Sequence, residues 1–136
     1  MIVMSLKSDG TYIYVSYLPT TGDDQYFSKT VVLDENLNVV KTLGTNASSV
    51  CMGGDNLVYL LDAYNECLSS YNPVTGELKE NLVTIKYADS IYRGAKDEIF
   101  VCEYECLSSY NTTTGKYKKL FNFSELGLTT SFVEYS

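Results

Sequence analysis

The residues of this chain best suited to chemistry are carboxylates in short loops. Gly22-Asp23-Asp24-Gln25, Asp62-Ala63-Tyr64-Asn65-Glu66 and Glu103-Tyr104-Glu105 each place acids at a turn, and the second and third carry a tyrosine as well. Oxygen ligands of this kind suit Ca²⁺ or a cationic partner, and adjacent tyrosines suit stacking on a sugar or packing in a protein interface. The candidate ligand-binding residues are therefore Asp23, Asp24, Asp62, Tyr64, Glu66, Glu103, Tyr104 and Glu105. Their spacing matches no calcium-loop motif, so no cofactor is expected. The competing reading is that charge simply solvates surface hairpins.

Catalysis has little to build on. The chain has no histidine, which removes the commonest general base and every Ser-His or Cys-His nucleophile. Paired carboxylates can hydrolyse a glycosidic bond, and Asp23, Asp24, Asp62 and Glu103 are the candidates for such a pair. The four cysteines include no Cys-x-x-Cys pair, so zinc is poorly supported and buried thiols are expected. Cys102 and Cys106 flank a tight turn and could face each other as a disulfide in an oxidising compartment. Asn46-Ala47-Ser48, Asn111-Thr112-Thr113 and Asn122-Phe123-Ser124 fit the glycosylation pattern, which chance readily produces in an Asn-, Ser- and Thr-rich chain.

The elements that must position these groups announce themselves by repetition. Glu66-Cys67-Leu68-Ser69-Ser70-Tyr71-Asn72-Pro73-Val74-Thr75-Gly76 returns 39 residues later as Glu105-Cys106-Leu107-Ser108-Ser109-Tyr110-Asn111-Thr112-Thr113-Thr114-Gly115. In the shared turn, Asn folds its side chain onto the backbone two residues on, and Gly76 or Gly115 supplies the positive φ that closes a hairpin. No helix follows these glycines, so they read as punctuation rather than a phosphate cradle. Thirteen tyrosines with many Val, Ile and Thr favour strands. Residues 31–43 have apolar residues near helical spacing, but the run Asp34-Glu35-Asn36 and Asn38 reads as a turn, and a hairpin is expected.

A period near 40 residues built from short strands is the signature of a β-propeller blade. The alternations resolve into four-stranded meanders over residues 1–44, 45–86 and 87–127, with residues 128–136 an extra strand that starts or closes a further blade. The fold class expected is all-β, propeller-like, with three antiparallel blades plus one strand. The repeat resembles kelch, NHL and YVTN-like propeller blades in its apolar strand followed by a Tyr-Asn-x-x-Thr-Gly turn, best over residues 48–123. It lacks the Gly-His and Trp-Asp pairs of WD40 blades and the spaced Tyr and Trp after a double glycine of typical kelch units. In such a fold the loops between second and third strands emerge on one face, so the acidic segments would form a ring of carboxylates interleaved with Tyr64 and Tyr104.

Charge and length bound the partners. With 45% hydrophobic residues the chain can bury a core, and a formal net charge of −7 argues against nucleic acid. No apolar run is long enough for a membrane span, and Met1-Ile2-Val3-Met4-Ser5-Leu6-Lys7 is too short for a signal-peptide core. Three blades are too few to close a ring, so the chain is expected to be a homo-oligomer or part of a larger propeller. The expected function is non-catalytic binding of a protein or glycan, or scaffolding. The alternatives are a segment of a propeller enzyme acting on glycans and a purely structural self-assembling domain.

Overall fold

The computed structural model describes residues 1–19 and 28–126. Among the described residues, twelve strands form three separate sheets, each a four-stranded antiparallel meander. The first contains β1 (Ile2–Ser8), β2 (Ile13–Leu18), β3 (Lys29–Leu33) and β4 (Val39–Leu43). The second contains β5 (Ser49–Met52), β6 (Val58–Asp62), β7 (Cys67–Tyr71) and β8 (Leu78–Thr84). The third contains β9 (Ala88–Arg93), β10 (Glu98–Glu103), β11 (Cys106–Asn111) and β12 (Tyr117–Asn122), followed by a short 3₁₀ turn at Phe123–Leu126. The hairpin expected over residues 31–43 is β3–β4. The proposed extra strand at 128–136 lies outside the described residues.

The sheets stack face to face with the second in the middle. Successive residues of β6 point to opposite faces, so Val58 and Leu60 pack with Tyr14, Val32, Val50 and Tyr71 in one core, while Tyr59 and Leu61 pack with Leu68, Ile91, Ile99 and Val101 in another. Burial on both faces explains why Val58-Tyr59-Leu60-Leu61 is an unbroken apolar run, whereas β2 and β3 alternate between buried and half-buried positions. The first strands of the blades are tied in series. Ser5 Oγ accepts a hydrogen bond from Val50 N at 3.2 Å, and Ser49 Oγ accepts one from Ile91 N at 3.1 Å. These strands line a groove along which Ser5, Ser49 and Ser90 follow one another.

The repeated turn has the chemistry its residues require. Asn72 Oδ1 accepts from Val74 N and Thr75 N, and Asn111 Oδ1 accepts from Thr113 N and Thr114 N. Gly76 and Gly115 sit at φ 79° and 75°, a region where a Cβ is penalised. Lys41 of β4 then clamps the first blade to the second: its Nζ donates to Gly76 O at 2.8 Å and lies 5.1 Å from the centre of the Tyr71 ring.

Candidate functional site

The turns β6–β7 and β10–β11 lie at corresponding ends of neighbouring sheets, and the segment between β8 and β9 joins them. Ile85 N donates to Glu66 O at 2.8 Å, and Tyr104 N donates to Tyr87 O at 2.9 Å. Tyr64 and Tyr104 therefore share one face of the molecule with Tyr87, and the three are 69%, 65% and 79% exposed. Tyr87, at φ 60°, went unnoticed in the sequence because it belongs to a connector rather than to a repeated loop.

Of the carboxylates in these loops, the described ones, Asp62, Glu66, Glu103 and Glu105, are buried or half-buried. Asp62 is buried, its two oxygens each accepting a 2.8 Å bond from Asn65, one from the backbone amide and one from the side chain. It caps its own turn, as a short Asx side chain does readily. Glu103 is half-buried and accepts from Ser108 Oγ at 2.6 Å. Glu66 and Glu105 are half-buried corner residues at φ 57° and 64°, their carbonyls accepting from Ile85 N and Phe123 N. Asp23 and Asp24 lie outside the described residues.

All four cysteines are buried, as expected, and none forms a disulfide. The β10–β11 register pairs Cys106 with Glu103 and Cys102 with Leu107, which puts Cys102 and Cys106 on opposite faces of the sheet and rules out the bridge between them. Burial pushes the Cys51 thiol up to about 12, which keeps it protonated and unreactive at neutral pH. Among the described residues, no group of three or more Cys, Asp or Glu side chains is arranged to hold a metal ion.

What the sequence did not show is a cavity of about 410 Å³ in the second blade, lined by Gly44, Thr45, Asp62, Asn65, Cys67, Ser69, Glu80 and Asn81. It arises where the two repeats differ. Asp62 pairs with Cys67 and Glu103 with Cys106, so the two acids occupy one register position, but the connection spans residues 63–66 in the second blade and only 104–105 in the third. The outer hairpins differ too. Ser69 alone stands opposite Glu80, Asn81 and Leu82, because pairing jumps from Leu68↔Val83 to Ser70↔Lys79, whereas only Leu120 bulges out of β12. Asn81, at φ 58°, carries this wide bulge.

The extra residues change the floor of the site. In the third blade Ser108 is satisfied by Glu103. In the second, the equivalent acid is one methylene shorter and already bonded to Asn65, and Ser69, 1% exposed, has a hydroxyl with no nitrogen or oxygen partner. The Cys67 thiol beside it is a weak partner. Burial pushes the Cys67 thiol up, so it is a neutral wall of the cavity. The described lining thus combines two carboxylates, two carboxamides and two hydroxyls, and no basic side chain.

No protein-family model and no curated protein sequence matches this chain. Solved structures do match its fold. It is similar to virginiamycin B lyase from Staphylococcus aureus (13% identity, TM-score 0.66), covering 90% of this chain and 43% of that one. It is similar to an auxiliary nutrient binding protein from Bacteroides thetaiotaomicron (13% identity, TM-score 0.66), covering 89% of this chain and 30% of that one. It is also similar to a chain of the nidogen/laminin complex (10% identity, TM-score 0.68), covering 90% and 47%. The chain therefore spans less than half the length of these matched structures. At such identities the likeness is one of fold, and with the three stacked meanders it shows an all-β chain of β-propeller type, built as three consecutive blades.

Proposed function

We propose that this chain is a non-catalytic binding module that contacts a protein or glycan through the face bearing the β6–β7 and β10–β11 turns. The observation that carries the reading is the polar cavity of the second blade, opening beside Asn65 in the same turn that presents Tyr64, with Tyr87 and Tyr104 on the same face. Exposed tyrosines supply contact area at little entropic cost, and a recess with a few polar groups supplies specificity. Of the four acids offered by the sequence for a catalytic pair, the two described ones are engaged locally, Asp62 by Asn65 and Glu103 by Ser108, which supports binding over hydrolysis. Propeller-type neighbours include proteins named for nutrient binding as well as a lyase, so the fold accommodates either role. The test is to probe a glycan array and a peptide array with labelled protein and with a Tyr64→Ala/Tyr87→Ala/Tyr104→Ala variant. Signals lost in the variant, with its circular dichroism unchanged, support the reading. Signals of equal strength place the contact elsewhere.

A second reading concerns closure of the ring, and the serine series favours it. Ser5 and Ser49 each accept an amide hydrogen from the next blade's first strand, and Ser90 follows them in the groove next to Ile91, at the edge where a fourth blade would sit. At the other end β1 leaves Ile2, Val3 and Leu6 more than half exposed. Such ends are completed by further blades, from a second copy or from a longer chain. Light scattering over a concentration series separates the two: a stable dimer supports the shared ring, and a monomer at all concentrations excludes it for this chain.

A further inference from the structure

We infer that two copies of this chain dock head to tail, the third blade of each against the first blade of the other, so that two identical junctions close one six-bladed ring. The inference rests on the ring-closure reading and names its partner and its contacts. Blade packs on blade twice within the chain, and the strand registers align the residues that do it. Leu6, Val50 and Ile91 hold one position, opposite Val15, Leu60 and Val101. Ile13, Val58 and Ile99 hold another, opposite Leu33, Tyr71 and Tyr110. In the second and third blades these side chains are at most 5% exposed, packed against the preceding blade. In the first, Leu6 is 61% exposed and Ile13, Val15 and Leu33 are half-buried. The first blade therefore carries the same apolar packing face, partly open to solvent.

The third blade offers the matching half. Ile99, Val101 and Tyr110 pack against the second blade, so Phe100, Ser109 and Lys118 lie on the opposite side of the sheet. Phe100 holds the register position of Tyr14 and Tyr59, the buried rings at the two internal junctions. Ser90 is the counterpart of Ser5 and Ser49, which accept from the Val50 and Ile91 amides, and this assigns it the Leu6 amide of the other copy.

Charge selects a second copy as the occupant. Lys41, Lys79 and Lys118 share one position, opposite Val32, Ser70 and Ser109. Lys41 reaches into the next blade, bonding Gly76 O and lying over the Tyr71 ring. For Lys79 the corresponding turn, residues 111–116, carries Lys116 and no acid, and Lys79 pairs instead with Glu77 of its own hairpin at 3.5 Å. Lys118 lines a recess of about 300 Å³ with Glu98 and Ser109, at the place where Lys41 of the first blade receives Tyr71 and Gly76. The turn that a first blade brings to this recess, residues 34–38, carries Asp34 and Glu35 and no basic residue. A lysine thus meets an acidic turn, with Leu33 beside it in the position of Tyr71. Rings of this type hold about four to eight blades, a range with one multiple of three, so two copies complete the circle.

The deciding experiment is sedimentation equilibrium of the intact chain from about 1 µM to 200 µM. The expected result is a species of twice the chain mass and nothing larger. Leu6→Asp strikes both junctions and is expected to weaken the dimer at least about a hundredfold. Lys118→Glu should weaken it about tenfold, and the exchange Lys118→Glu/Glu35→Lys should restore it to within about threefold of the native dimer. Val74→Asp, at a 92% exposed position in another turn, should change nothing. Leu6, Glu35 and Lys118 are exposed, so these variants leave the fold of each copy intact, which circular dichroism checks. A monomer throughout overturns the junction together with the shared-ring reading, and masses that grow past two copies overturn the closed ring. A dimer indifferent to Leu6→Asp or to Lys118→Glu, or one that the charge exchange fails to restore, overturns this junction alone. The tyrosine face is tested separately by its own variant.

Discussion

Ser69 and Ser108 occupy the same position in successive blades, which makes them a controlled pair for asking what the cavity costs the fold. Ser69 buries a hydroxyl with no nitrogen or oxygen partner and only the weak Cys67 thiol beside it, whereas the Ser108 hydroxyl donates to Glu103 at 2.6 Å. A buried unsatisfied hydroxyl costs about 1–3 kcal/mol, and removing it sacrifices only the dispersion contacts of one oxygen, on the order of 0.5 kcal/mol. Ser69→Ala is therefore expected to be neutral or to stabilise the protein by up to about 2 kcal/mol. Ser108→Ala removes a hydrogen bond to a charged group, worth about 1.5–3 kcal/mol; because Glu103 is half-exposed, water recovers part of it, and a loss of about 1–2 kcal/mol is expected. Urea unfolding followed by circular dichroism reads both, since the chain has no tryptophan. With a slope near 2 kcal/mol/M, a change of 1 kcal/mol moves the midpoint by about 0.5 M. Opposite shifts at constant slope are the expected outcome. A Ser69→Ala protein destabilised by more than about 1 kcal/mol, or equal losses in both variants, refutes the claim that the cavity floor is held unsatisfied.

Two further outcomes test the frame that holds the site. Gly115→Ala places a Cβ in open space at φ 75° and should cost about 1–2 kcal/mol from the left-handed backbone alone. Gly76→Ala should cost more in the same unfolding assay, because its Cβ would stand 3.3 Å from the Lys41 ammonium that clamps the two blades. Asp9 supplies a pH signature: burial raises its pKa, but hydrogen bonds from the Tyr12 and Thr11 amides and the Tyr14 hydroxyl outweigh it and hold the carboxyl below its ordinary 3.8. A depressed folded value gives stability that is present above about pH 4 and is lost as pH falls through that lower value. Asp9→Asn should flatten this acid limb in midpoints measured from pH 5 downward, and an unchanged limb would assign it to other acids.

The blades and their turns were legible because they rest on local chemistry. Alternating apolar residues, the Asn that bonds the amides two and three residues on, and the glycine at positive φ all act within one hairpin, so the repeat carries its own geometry. The central position of the second blade was also written locally, in the unbroken run Val58-Tyr59-Leu60-Leu61, although that run alone does not distinguish a doubly covered strand from other buried segments. The site was another matter. Asp62 and Glu103 look alike in the sequence, yet a longer turn lets Asn65 reach back to Asp62, whereas Glu103 reaches across to Ser108. Glu80 and Asn81 come to the cavity only because pairing in the outer hairpin skips three residues against one. Tyr87 comes to the shared face only because its carbonyl accepts a hydrogen bond from Tyr104 N. Composition and period determined that there would be blades, since strand alternation is encoded residue by residue. Register, bulge and connector decided which side chains meet, since those depend on how segments far apart in the chain are brought into contact.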